Sequence, residues 1–115
     1  MKIDVRFRGL EPSESLRDHA VRRVHFHLSR FGREVSAVVV RIADVNGPKG
    51  GIDKRCQITV RSPRFGSATL HELSGDTYTA VDLAVERTAR ALGRGLERSR
   101  RSMRTGTSLW RTQEV

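Results

Sequence analysis

Residues 35–61 read VSAVVVRIADVNGPKGGIDKRCQITVR, two β-branched runs on either side of a glycine-rich stretch. In the first run Val38, Val40 and Ile42 fall on one side of an extended chain and Val39 and Arg41 on the other. In the second, Cys56, Ile58 and Val60 alternate with Arg55, Gln57, Thr59 and Arg61. A period of two residues is that of a strand, and the first run is the candidate central strand of a sheet. Between the runs, Asn46, Gly47, Pro48, Gly50 and Gly51 supply turn chemistry. With Lys49 the connection is longer than a tight two-residue hairpin requires, and extra loop length often has a use.

On the N-terminal side, Ile3, Val5 and Phe7 alternate with Asp4, Arg6 and Arg8, a half-buried strand that Gly9 ends. Pro12 and Ser13 start a helix whose Leu16, Ala20, Val24, His27 and Phe31 recur along one face until Gly32 closes it. On the C-terminal side, Pro63 and Gly66 mark a turn and Ala68–Leu73 is a weaker strand. Gly75 and Asp76 open a last helix, with Asp76 as N-cap, that runs to about Arg101. Gly93 and Gly95 within it each cost about 1 kcal/mol relative to Ala, so its second half is expected to fray in the free protein.

The order β-α-β-β-β-α predicts an α+β fold. Residues 1–102 form a single domain: a four-stranded mixed sheet with two helices packed on one face. Strands one and two are joined by a crossover and run parallel, and two hairpins add antiparallel strands. Residues 103–115 have no apolar period and are expected to be a flexible tail in which Trp110 stands alone.

The formal net charge is +9 over 115 residues, and 19 of the 22 basic residues are Arg. Codon usage in a GC-rich genome explains Arg over Lys, but not the net charge, which points to a polyanionic partner. Cys56 is alone, so no intramolecular disulfide forms. Charges interrupt the N-terminus as no signal peptide does, and no apolar run approaches the roughly 18 residues of a membrane span. A cytoplasmic, soluble protein without membrane contact is expected, monomeric when free.

The charge is segregated. Arg87, Arg90, Arg94, Arg98 and Arg101 follow one another at intervals of 3, 4, 4 and 3 on the last helix. At helical pitch they share roughly 80° of arc, opposite Val81, Val85, Thr88, Leu92 and Leu96. From Arg87 to Arg104 there are seven Arg and one acid, Glu97, so carboxylates on the helix cannot neutralise the row. With both helices on one sheet face, the row is expected to share a surface with Arg22 and His25 of the first helix.

Phe26, outward and near Arg22, is expected to pack between the helices, with stacking on an unpaired base as the functional alternative. Tyr78, at the edge of the buried stripe, is expected in the core. Lys54 and Arg55 either close the turn or touch RNA. The glycines of 46–51 lack the following Gly-Lys-Ser/Thr and helix of a phosphate cradle. His19, His25, His27 and His71 lack metal-ligand spacing, and Cys56 reads as a buried strand thiol. No acid, base and nucleophile converge, so no enzyme activity, cofactor, metal or small-molecule substrate is expected.

Three segments resemble the ribosome hibernation promoting factor family, also called ribosome-associated inhibitor or sigma-54 modulation protein. They are Ser15-Leu16-Arg17-Asp18-His19, the run from Asp44 to Cys56, and Asp76-Thr77-Tyr78-Thr79-Ala80-Val81-Asp82. Further on, Arg87, Arg90 and Arg94 match the family's basic positions, while Gly95 stands where some relatives continue the series. The resemblance implies binding to 16S rRNA of the small ribosomal subunit, in the channel used by mRNA and tRNA, so that idle ribosomes stay silent. It also implies a short form, without the domain that pairs ribosomes. The expected RNA-contacting residues are Arg22, His25, Lys54, Arg55, Arg87, Arg90, Arg94, Arg98 and Arg101. A stand-alone double-stranded RNA module and a domain docking an acidic protein are the alternatives.

Overall fold

Each run of alternating residues becomes a strand in the computed structural model, which describes residues 1–45 and 53–102, with the backbone alone for 99–102. The elements are β1 (Lys2–Arg8), α1 (Glu14–Leu28) with a single 3-10 turn after it (Ser29–Phe31), β2 (Ala37–Asp44), β3 (Lys54–Ser62), β4 (Gly66–Ser74) and α2 (Thr77–Ser102). The tail and the 46–51 loop lie outside the described residues.

The sheet order is β1-β2-β3-β4, with β1 and β2 parallel and the other neighbours antiparallel. This is the mixed sheet the element order implies. Register sorts the side chains cleanly: Val5, Val40, Ile58 and Leu70 lie side by side across the four strands on one face. That face is the core, and α1 and α2 cover it. Leu28, Ile42, Ile58 and Leu92 are among its fully buried side chains, each worth about 1.5–3 kcal/mol of apolar burial.

Both helices begin where their caps predict. Ser13 Oγ accepts from the Leu16 N–H at 3.2 Å, and Asp76 Oδ2 accepts from the Thr79 N–H at 2.9 Å. Because β4 points the same way as β1 and β2, α2 descends parallel to α1. α2 is unbroken through Gly93 and Gly95 to Ser102. Leu92 is buried beneath this half, Leu96 packs against the core, and Arg30 Nη2 approaches the bare side of Gly93. Two other glycines are required by geometry. Gly66 closes the β3–β4 turn at φ +90°, and Gly9 leaves β1 at φ +71°, where a Cβ would stand 3.2 Å from the Asp44 carbonyl oxygen.

Cys56 is fully buried on β3, and burial pushes its thiol up from 9.0 to about 12. In the unfolded chain the thiol ionises near its ordinary value. Above that value the unfolded state loses a proton that the folded state keeps. Cys56 therefore contributes stability that is intact below pH 9.0 and lost as pH rises towards about 12. The expected slope attributable to it is at most about 1.4 kcal/mol per pH unit. Urea unfolding of wild type and Cys56→Ala at pH 7.5, 9 and 10 isolates it as the difference between the two slopes. Equal slopes would mean that the thiol ionises in the folded protein.

Candidate nucleic-acid interface

The interface is built on α1 and α2, which are held in register by side chains 63 positions apart. Ser15 Oγ meets Tyr78 OH, and His19 Nε2 lies 2.7 Å from Asp82 Oδ1. Arg23 continues the ladder. Its Nη2 reaches Glu86 at 3.7 Å and donates to His27 Nε2 at 2.9 Å, while its Nε lies 3.2 Å from Asp82 without pointing its N–H at the carboxylate. Arg17 ties α1 to the sheet edge, donating to the Val5 carbonyl at 2.9 Å and lying over the Phe7 ring. Tyr78 is therefore not in the core: it is 37% exposed and bridges the helices through its hydroxyl. Its phenol finds a polar partner at the seam that the apolar interior lacks.

This seam engages two of the acids near the row of arginines, Asp82 and Glu86, while Glu97 stands exposed within the row itself. Around α2, Asp82 and Glu86 lie about 40–80° from Arg90 on the side of α1, and Arg87, Arg94 and Arg98 lie about 40–80° the other way. Arg90, Arg94 and Arg98 are exposed, and no carboxylate among the described residues pairs with them. Arg87 differs. Its Nη1 donates to Glu72 Oε1 of β4 at 2.8 Å, and its side chain is only 30% exposed. Helical phase placed Arg87 in the row correctly, but the neutralising acid comes from a strand, where helical spacing cannot reveal it. Arg101 lies in the helix backbone with its side chain outside the described residues.

The remaining expected contacts separate into three places. Arg22 and His25 are exposed on α1, but only Arg22 lies on its outward crest; His25 is about 160° round the helix from Arg23, on the flank turned away from α2. Lys54 closes the β2–β3 connection: Nζ donates to Asp53 and Asp44, each at 3.1 Å, and these carboxylates raise its pKa, that of Asp53 most. Asp53 is itself 2% exposed, so the lysine holds a buried charge in balance. The geometry thus favours the turn-closing role for Lys54. Arg55 is half-buried on the sheet face that carries no helix, on the opposite side of the molecule from α2. The expected residues do not form one site.

Phe26 does not pack between the helices. It is 76% exposed, with the Arg23 guanidinium 5.7 Å from its ring centre and His27 edge-on at 4.9 Å. Core-facing positions on α1 are filled by Leu16, Ala20, Val24 and Leu28, which leaves the ring on the outward crest. Sequence reading named Arg6, Arg8, Arg41 and Arg61 only as the polar side of alternating strands. The signal was present in their shared parity, since all point to the uncovered sheet face with Arg55. Among the described residues no group of three or more His, Cys, Asp and Glu could hold a metal ion, and no helix is long and apolar enough to cross a membrane.

Two solved structures share this architecture. A ribosomal subunit interface protein from Coxiella burnetii superposes with a TM-score of 0.69 at 20% identity, covering 82% of this chain and 96% of that one. The N-terminal domain of Thermus thermophilus Protein Y gives 0.62 at 24% identity, covering 82% and 98%. No curated protein sequence matches the chain. Residues 3–100 match the family model described as sigma 54 modulation protein / S30EA ribosomal protein. That match spans every strand and nearly all of α2, and the segments at Ser15 and Asp76 that first suggested it meet at the helix seam; the chain belongs to the sigma 54 modulation protein / S30EA ribosomal protein family.

Proposed function

We propose that this protein binds the small ribosomal subunit in the mRNA and tRNA channel, laying α2 on the phosphate backbone of 16S rRNA and blocking translation by occupancy. The observation that carries the reading is the exposed set Arg90, Arg94 and Arg98, with which no carboxylate pairs among the described residues, Asp82 and Glu86 being engaged at the seam. Guanidinium groups in such a row suit phosphates, and releasing counterions from RNA supplies affinity without chemistry at any bond. Family membership supports the ribosome as the partner, as does the subunit-interface description of the Coxiella protein. Phe26, flanked by Arg22 and Arg23, offers an exposed ring on which an unpaired base can stack. The role places the protein in the cytoplasm, with residues 1–102 as the ribosome-binding domain and 103–115 as an appended tail.

Exclusion has a direct test. Purified protein should co-sediment with 30S subunits, and saturating mRNA with initiator tRNA should displace it. Failure to bind, or binding indifferent to both competitors, would sink the reading. Retention on free RNA duplexes, but not on 30S subunits, would identify a double-stranded RNA module instead.

A further inference from the structure

The sheet face that carries no helix is as cationic as the helical side. Strand register lays it out in four rows. Lys2, Ala37, Arg61 and Ser67 form the first and Asp4, Val39, Thr59 and Thr69 the second. Arg6, Arg41, Gln57 and His71 form the third, and Arg8, Ala43, Arg55 and Leu73 the fourth. Six permanent cations thus share the surface with one acid, Asp4, which is bonded to Arg6 at 2.8 Å. Among the described residues no carboxylate pairs with Arg8, Arg41, Arg55 or Arg61.

This arrangement is costly to fold. Arg6 and Arg41 are direct neighbours across β1 and β2, and like charges facing each other destabilise a sheet. Residues serving only as a solvated surface would not need it. The floor between the cations is small and apolar, Val39 and Ala43 each being 8% exposed beneath the long side chains. Two shallow depressions result. One of about 280 Å³ is lined by Arg6, Arg8, Arg41, Arg55 and Gln57 among others, and one of about 190 Å³ by Lys2, Arg6, Arg61 and Val39 together with Asp4, the acid bonded to Arg6.

We infer that this open sheet face is a second RNA-binding surface, which takes the phosphate backbone of an rRNA segment on the side opposite α2. Successive rows lie about 6.5–7 Å apart along the strands, a spacing comparable to that of neighbouring phosphates on an RNA strand. Between the cations stand the Gln57 amide and the Thr59 and Thr69 hydroxyls, which bond each other at 3.1 Å and leave one O–H to donate to a phosphate. No Trp, Tyr or Phe is exposed in the rows, so the face lacks the aromatic anchors of a protein interface and the stacking platform of a base reader. It binds backbone, without regard to sequence. The inference rests on the proposed function only for the identity of the anion; the geometry of the face is independent of the arginines on α2.

The test uses the full chain and two probes, refolded 16S rRNA transcript and 30S subunits, titrated over a range of salt. Wild type is compared with a sheet variant (Arg41→Gln with Arg55→Gln) and a helix variant (Arg90→Glu with Arg94→Glu). The sheet variant is expected to bind the transcript at least about tenfold more weakly, with a log–log salt slope shallower by about 1.4–1.8. Its thermal midpoint should be no lower than wild type, because the change relieves repulsion between Arg6 and Arg41. That pairing of weaker binding with undiminished stability is the mark of a ligand site. Wild-type affinity and slope in the folded sheet variant overturn the inference, even if an acidic protein partner is lost. If the helix variant keeps its affinity while the sheet variant loses it, the reading of α2 fails and the inference stands; the opposite pattern sinks the inference alone. Should the sheet variant lose stability, Arg8→Gln with Arg61→Gln, at exposed positions, must show the same loss of binding.

Discussion

Arg90→Glu combined with Arg94→Glu is expected to lower affinity for 30S subunits by about 100-fold or more while the protein stays folded. Two charge-assisted contacts to phosphate, at about 1.5–3 kcal/mol each, correspond to about two to four decades of affinity, before any repulsion from the new carboxylates is counted. Both side chains are exposed and unpaired among the described residues, so the thermal midpoint should hardly move. Co-sedimentation at fixed salt and calorimetry of the same preparations provide the two readings. A folded double variant that still inhibits translation would place the ribosome contact elsewhere. Arg87 is unsuited to this test, because reversing it would set a carboxylate against Glu72 and confuse loss of binding with loss of a structural ion pair.

Leu92→Ala is expected to act through stability instead, costing about 2–5 kcal/mol without removing a ligand group. Leu92 is 1% exposed and packs into the core directly beneath the half of α2 that contains Gly93 and Gly95. Those glycines weaken the helix from within, so its continuity there depends on packing. Urea unfolding gives the stability change. Affinity for 30S subunits should fall too, through fraying of the segment that carries Arg94 and Arg98, and it should recover on cooling towards the temperature of maximum stability. A loss smaller than about 1 kcal/mol would show that α2 is not held by this side chain.

These two variants mark what could be read from the sequence and what could not. Strand parity and helix caps are local properties, and Val38, Val40, Ile42, Ser13 and Asp76 stand where their neighbours dictate. The recognisable segments also proved to be structural. Ser15 and His19 of the first grip Tyr78 and Asp82 of the third, and Asp44, Asp53 and Lys54 of the second close a connection. Their residue types are constrained by specific partners, which makes them legible. Cations facing a polyanion are constrained mainly in sign. Helical phase could find the row on α2, yet it could not show that Glu72 reaches Arg87 from β4, or that Arg55 points away from α2 altogether. Phe26 was misjudged for a related reason. Whether an aromatic at the rim of a helix is covered depends on its tertiary neighbours, and here those are Arg23 and His27 of its own helix, not an apolar surface of the other.

The parallel course of α1 and α2 has an electrostatic consequence. Peptide dipoles in helices that point the same way add, so the molecule is polarised along their common axis whatever its formal charges. The positive ends are the ones capped by Ser13 and Asp76. His25 and His27 fall in the last turn of α1, with Arg30 just beyond it, and Arg98 lies near the end of α2. Guanidinium groups at those ends sit in a field that favours them. Those of the sheet have no such support, because strand dipoles largely cancel. The helical face thus has partial support from the helix ends against the i,i+4 repulsion of its own arginines, whereas the sheet face has none, and an arriving anion relieves more repulsion there.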